Sequence, residues 1–356
     1  MTVTKKNSLL REGKMEKLHY GNIEIHNAAA LCKGAHGGAT FLRYPEAVCA
    51  AFEKDGAATQ AGNCSGAELR FLMKSDRVVL QVRSESVGHY HIFRGGLQGG
   101  WYDHEGRTTS PQKTEIVIEK KEQPLVERMH RDLSLPWDPS LIRIILDRGR
   151  FEILGVSEGE IELPCIGSAP KKTILFYGSS ITHGSNALNA SDSWTSRVAH
   201  GLGMDYLNKG LAGSCYMEDS TVSYLASLGQ SGAWDVAVLE LGINALAFDA
   251  KKRLDRVENT LEKIAGGNPD KPVFVISPFY SDEDYRGGTA AEAWRETIRT
   301  ASQTKGYKNL TYIPGNEILS DMSGISTDGV HPSVYGIAQI HERLLARIRP
   351  VLDAKM

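Results

Sequence analysis

No apolar run in this 356-residue chain is long enough to span a bilayer or to form the core of a secretory leader. Its opening residues, Met1-Thr-Val-Thr-Lys-Lys-Asn-Ser-Leu-Leu-Arg-Glu-Gly-Lys14, are polar and basic, and the expectation is a cytoplasmic protein with no membrane partner. Cysteine is scarce. Cys32, Cys49, Cys64, Cys165 and Cys215 form an odd set without C-x-x-C spacing, which suits reduced thiols better than a disulfide framework or a zinc knuckle. An excess of charge is missing as well: 41 Lys and Arg stand against 43 Asp and Glu, a formal net charge of -2. Without a basic stripe to neutralise phosphates, nucleic acid is not an expected ligand, and a small neutral or weakly charged molecule fits better. Neither Gly-x-Gly-x-x-Gly nor Gly-x-x-x-x-Gly-Lys-Ser/Thr occurs, so a nucleotide cofactor loses its main support.

What is present is enough apolar material, 41% of residues, to bury more than one core, and two domains are the first expectation. In the second half, short apolar runs at Ile174–Tyr177, Tyr206–Leu207, Val236–Leu239, Val273–Ile276 and Thr311–Ile313 read as strands. Between them, sets such as Trp194, Val198 and Leu202, or Val257, Leu261 and Ile264, carry the spacing of a helix with one apolar face. Strand alternating with helix implies a parallel sheet covered on both sides. The first half differs. Runs at Glu68–Leu72, Val78–Val82, Glu115–Glu119 and Leu141–Leu146, separated by Gly, Asp and Pro, imply an antiparallel sandwich or jelly roll. The expected division is a flexible segment 1–18, a β-sandwich 19–165, a linker 166–172 and a catalytic α/β domain 173–356.

Four patches carry the chemistry: Tyr177-Gly-Ser-Ser-Ile-Thr-His-Gly184, Asn208-Lys-Gly-Leu-Ala-Gly213, Leu241-Gly-Ile-Asn244 and Asp328-Gly-Val-His-Pro332. Ser180 follows the first parallel strand, at the carboxyl edge where open α/β sheets hold ligands. A serine hydroxyl needs a base to take its proton, and His331 supplies one, with Asp328 three residues earlier able to fix its tautomer. Gly213 and Asn244 follow the second and third strands. The amides of Ser180 and Gly213 and the side chain of Asn244 can therefore converge on the oxyanion of a tetrahedral intermediate. Alone, each patch has a plainer reading as a Gly-rich turn, a helix cap or an Asp-capped turn. Their coincidence in one chain favours acyl transfer at a serine.

These patches resemble the blocks of the SGNH hydrolases, or GDSL esterases, over roughly residues 171–350. The resemblance implies a flavodoxin-like, five-stranded parallel sheet with flanking helices. It also implies Ser180 as nucleophile, Gly213 and Asn244 as oxyanion donors, His331 as base and Asp328 as its partner. The chain departs from the family pattern at Ser179, where the Gly-Asp-Ser-Leu block has Asp, and at Ala245, where many members carry Asp. The domain order is similar to that of members with an N-terminal β-sandwich, which include carbohydrate esterases and an acyltransferase type.

Several lesser signals remain. His183 is a candidate for lining the acyl pocket, and Trp101, in Trp101-Tyr-Asp-His104, for stacking on a sugar. His89 and His91 share a face if their segment is a strand, but no carboxylate follows, and neither metal nor cofactor is expected. The expected activity is hydrolysis of a short acyl, acetyl above others, from a carbohydrate or similar small polar molecule. In that reading the N-terminal sandwich narrows the cleft and recognises the non-acyl part. The alternatives are an acyltransferase using the same site with an alcohol acceptor, and a non-catalytic carbohydrate-binding protein.

Overall fold

The computed structural model describes residues 17–354 apart from 104–107, 122 and 148, so most of the expected N-terminal segment and His104 lie outside the described residues. The first half forms two antiparallel sheets. One has the spatial order His19–Tyr20, Ile23–His26, Ala67–Met73, Leu141–Leu146, Gly88–Arg94, Leu97–Gln98, with Ile161–Glu162 and Thr108–Thr109 paired onto its strands. The other runs Thr114–Glu119, Arg77–Ser84, Phe151–Glu158, Ala39–Leu42, Ala30–Lys33. Alternation decides which side chains face inward. Leu69 and Phe71 join Val78, Leu80, Val82, Ile116 and Ile144 in the core of the sandwich. Glu68 and Arg70, at the intervening positions, are also buried, because their face of the sheet lies against the second half of the chain.

Residues 163–172 form neither helix nor strand, and the second half begins beyond them with Thr173–Tyr177. That strand sits between Asp205–Asn208 and Val236–Glu240, followed by Val273–Ile276 and Leu310–Ile313, all parallel. Both faces of the sheet are apolar, as burial on both sides requires. Leu175, Tyr177, Ala237, Leu239 and Val275 point to one set of helices, and Ile174, Phe176, Val238 and Phe274 to the other. The helix Trp194–Leu202 starts where the Ser193 side chain accepts from the Ser196 amide and stops at Gly203, whose φ of 65° suits glycine. Trp194 and Val198 are its buried stripe. Among the described residues no helix is long and apolar enough to cross a membrane.

The two halves share packing. Tyr44, Val48 and Ala61 from the first half belong to the same apolar cluster as Leu175 and Tyr177 of the parallel sheet. Arg70 of the sandwich, itself bonded to Glu68, which Arg143 also holds, reaches Asp205 at the start of the second parallel strand. The expected fold class is borne out, with a sandwich and a parallel sheet that are docked through both apolar and ionic contacts.

Candidate active site

A parallel sheet in which the first strand lies between the second and the third places the ends of those neighbours on either side of it. The turn after Thr173–Tyr177 carries Ser180, and the flanking strands Asp205–Asn208 and Val236–Glu240 lead into Gly213 and Asn244. Ser180 opens the short helix Ser180–His183 and is only 7% exposed. Its helix is capped by Ser179, whose Oγ accepts from the Ile181 amide at 3.1 Å.

The side chain that meets Ser180 comes from far along the chain. His331, 151 residues after Ser180, holds its Nε2 2.7 Å from the Ser180 Oγ. The other ring nitrogen, Nδ1, lies 2.8 Å from Asp328 Oδ2. Asp328 Oδ1 accepts from the amides of Val330 and His331, both at 2.9 Å. Partial burial opposes ionisation of Asp328, but the His331 and Val330 amides and the His331 ring outweigh it and hold the carboxyl well below the usual carboxylate range. An ionised Asp328 can only accept, so Nδ1 carries the ring proton and Nε2 presents its lone pair to the Ser180 hydroxyl. Gly329, at φ 76°, allows the tight turn between Asp328 and His331.

The three groups that the sequence suggests as oxyanion donors have N–H groups without protein partners among the described residues. The Ser180 amide begins a helix and has no i−4 carbonyl to bond. The Gly213 amide enters no hydrogen bond with the protein. Asn244 accepts from the Cys215 amide through Oδ1 at 3.1 Å, which fixes its orientation, since an amide nitrogen cannot accept, and leaves Nδ2 to donate. Cys215 is buried and reduced, and it braces this loop through its backbone.

One functional group escaped the sequence reading. Glu240, at the carboxyl end of the third parallel strand and fully buried, accepts at Oε2 from the Ser179 amide at 2.8 Å, the Ser179 hydroxyl at 2.7 Å and the Thr182 hydroxyl at 3.0 Å. It thus holds both sides of the turn that carries Ser180. The departure from Gly-Asp-Ser-Leu acquires a reason: an Asp at 179 would press a second carboxylate against Glu240, whereas Ser179 donates to it. Gly178 is required on the same ground, because a Cβ there would collide with Thr182 Oγ1 and Glu240. The available signal was an acidic residue ending the apolar run Val236–Leu239.

Burial pushes the Glu240 carboxyl up to about 7, against the opposing hydrogen bonds from Ser179 and Thr182. A folded-state value raised above the unfolded one favours folding below about pH 4.5 and loses that advantage as pH rises toward 7. Relative to the wild type, Glu240→Gln should therefore gain stability on going from pH 5 to pH 8, by up to about 3 kcal/mol. Thermal unfolding of both proteins across that range checks this; parallel curves would contradict it.

His183 closes the same short helix that Ser180 opens. It is 8% exposed, and its Nδ1 accepts from the Ala212 amide at 3.2 Å, supporting the loop that ends in Gly213. Trp101 is 76% exposed and packs edge-on against Tyr102 at 6.0 Å, with no contact that ties it to Ser180. Trp194 is core, donating its indole N–H to the Ile181 carbonyl, one residue after Ser180, at 3.0 Å. His89 is exposed on Gly88–Arg94, with the half-buried His91 two residues on, and no group of three His, Cys, Asp or Glu among the described residues could hold a metal ion.

Comparison with known structures finds this arrangement of domains elsewhere. A salicylyl-acyltransferase, SsfX3, from a tetracycline biosynthetic pathway aligns with a TM-score of 0.74 and 16% identity, over 96% of this chain and 98% of that one. A family two carbohydrate esterase from Clostridium thermocellum, solved in complex with cellohexaose, aligns with a TM-score of 0.60 and 14% identity, over 92% and 99%. At these identities the likeness is one of fold. Comparison with curated proteins gave no match. Residues 171–349 match the GDSL-like lipase/acylhydrolase family, a segment that contains all four sequence patches. Half of the chain is thereby accounted for, and the protein belongs to the GDSL-like lipase/acylhydrolase family of carboxylic-ester hydrolases.

Proposed function

We propose that the protein is a serine esterase that removes a short acyl group, acetyl above others, from a carbohydrate or similar small polar molecule. The observation that carries this reading is the continuous chain Asp328–His331–Ser180, with contacts of 2.8 and 2.7 Å, beside three uncommitted donors. Ser180 Oγ attacks the ester carbonyl while His331 Nε2 takes its proton, and Asp328 stabilises the imidazolium that forms. The amides of Ser180 and Gly213 and Asn244 Nδ2 receive the oxyanion. The imidazolium then gives its proton to the departing alcohol. Water, deprotonated by His331, resolves the acyl-enzyme. In this reading Ser180, Asp328, His331, Gly213 and Asn244 keep the roles that the sequence patches suggested.

The carbohydrate part of this reading draws support from the fold shared along the whole chain with a carbohydrate esterase. A second reading, acyl transfer to an alcohol, draws equal support from the fold shared with an acyltransferase. One assay separates them. Purified protein should cleave 4-nitrophenyl acetate faster than longer acyl esters, release acetate from acetylated sugars, and pass little acyl group to added alcohols at low concentration. Dominant transfer to the alcohol would favour the second reading, and preference for long acyl chains would remove the acetyl assignment.

A further inference from the structure

The block Asn208–Gly213 is held from two directions. Its amides bond to its own domain: Lys209 to the Phe176 carbonyl at 2.7 Å, Leu211 to the Gly178 carbonyl at 2.9 Å and Ala212 to His183 Nδ1 at 3.2 Å. Its carbonyls bond to the N-terminal half instead. Asn208 O accepts from Arg43 Nη1 at 2.8 Å and from Asn27 Nδ2 at 3.1 Å, and Gly210 O accepts from Arg43 Nη2 at 2.9 Å. Lys209 O accepts from the Tyr44 hydroxyl. The contact is reciprocal, because the buried Lys209 Nζ donates to the carbonyls of Arg43, at 2.5 Å, and Asn27, at 3.2 Å. Burial first, and then the charge of Arg43, push the Lys209 pKa well down, so this amine serves as a hydrogen-bonding strut between the halves.

Three consecutive buried carbonyls would lose their partners if the sandwich let go, and unpaired buried carbonyls are avoided in folded proteins. The chain would move to satisfy them. Gly213 lies three residues beyond Gly210, and its φ of 66° makes its orientation depend on the path of that short loop. Asn27 itself sits at φ 65°, an uncommon conformation for a residue with a side chain, and directs its amide to Asn208 O from there.

We propose that the N-terminal sandwich is a structural component of the oxyanion hole, with Asn27, Arg43 and Tyr44 as positioning residues that set the Gly213 amide. This rests on the assignment of Gly213 and Asn244 as oxyanion donors. It gives the sandwich a part in the chemical step in addition to any contact with the non-acyl portion of the substrate.

The test uses the full chain with matched oxygen esters and thionoesters. An oxyanion hole stabilises a developing oxygen anion more than a sulfur one, so misplaced donors lower turnover of the ester more than that of the thionoester. Loss of folded protein lowers both equally. Tyr44→Phe deletes one hydrogen bond while keeping the ring, and Asn27→Gly deletes the amide while tolerating the positive φ. Each should lower kcat for the ester about tenfold with KM little changed, and lower the ester-to-thionoester ratio with it. Asn244→Ala is the control. If it lowers the ratio and neither Tyr44→Phe nor Asn27→Gly does, the positioning role is wrong and the donor assignment stands. If Asn244→Ala leaves the ratio unchanged, the donor assignment fails and the positioning role falls with it.

Discussion

Replacing His331 by Ala is expected to lower kcat/KM for 4-nitrophenyl acetate about 10⁴-fold, with Ser180→Ala at least as severe and the double variant little worse than either. The non-additivity follows from the geometry. Ser180 Oγ has a single base at 2.7 Å, and once that base is gone the hydroxyl stays protonated and further losses have nothing to remove. Ser180→Ala deletes only an oxygen from a buried turn still held by Glu240, so near-native thermal stability is expected alongside lost activity. Asp328→Asn should fall between, because the amide cannot hold Nδ1–H in the same tautomer. Since Asp328 is held well below the usual carboxylate range, its ionisation should not set the acid limb of the pH–rate profile near neutrality. Initial rates with purified variants decide these points. Activity within tenfold of wild type in His331→Ala would remove the base assignment.

Arg70→Met should be the most destabilising substitution at the docking surface, by about 3–5 kcal/mol at pH 7, because it removes the guanidinium that pairs with buried Asp205 and leaves Glu68 to Arg143 alone. Arg70 reaches Asp205 with both terminal nitrogens at 2.7 Å and Glu68 through Nε at 2.7 Å. Arg143 adds a bond to Glu68 Oε1 at 2.6 Å and lies 3.6 Å over the Trp137 ring. Burial opposes ionisation of Glu68, yet Arg143 and Arg70 outweigh it and hold the carboxyl down to about 2. Asp205 is likewise held low, with Arg70 overcoming its burial. Depressed folded-state values mean that the network stabilises above about pH 4.5 and is lost as pH falls toward 2. The gap between wild type and Arg70→Met should therefore narrow in acid. Chemical denaturation at pH 7 and pH 3 measures it; a loss below about 1 kcal/mol at pH 7 would show that the network contributes little to docking.

Asp205 begins the strand that leads to Asn208, the first residue of the oxyanion block, so the ionic network and the Arg43–Tyr44 contacts secure both ends of one strand. This arrangement explains why what was legible in the sequence stops where it does. The strand runs were readable because burial on both faces forces unbroken apolar sequence, as in Val273–Ile276. The four patches were readable because each follows such a strand, and a parallel sheet gathers strand ends at one edge. Nothing comparable marks Asn27, Arg43 or Tyr44. Each acts through one side chain on one or two backbone carbonyls about 170 residues away, contacts with no period and no required residue type at the receiving end. Glu240 was hidden for a related reason, since a single carboxylate ending a strand is ordinary until its three donors are placed around it. His183, suggested for the pocket by its proximity in sequence to Ser180, also turns its ring toward the Ala212 amide, a contact that the sequence does not mark.

The central claim is that Ser180 carries the acyl group between alcohol and water. Rapid acid quench of the enzyme during turnover of 4-nitrophenyl acetate, followed by proteolysis and mass spectrometry, tests it most directly. One acetyl group on the peptide that contains Ser180, absent from Ser180→Ala, is the predicted result. Full turnover with no acetylated peptide in the wild type, or with the acetyl group on another residue that survives Ser180→Ala, would contradict it.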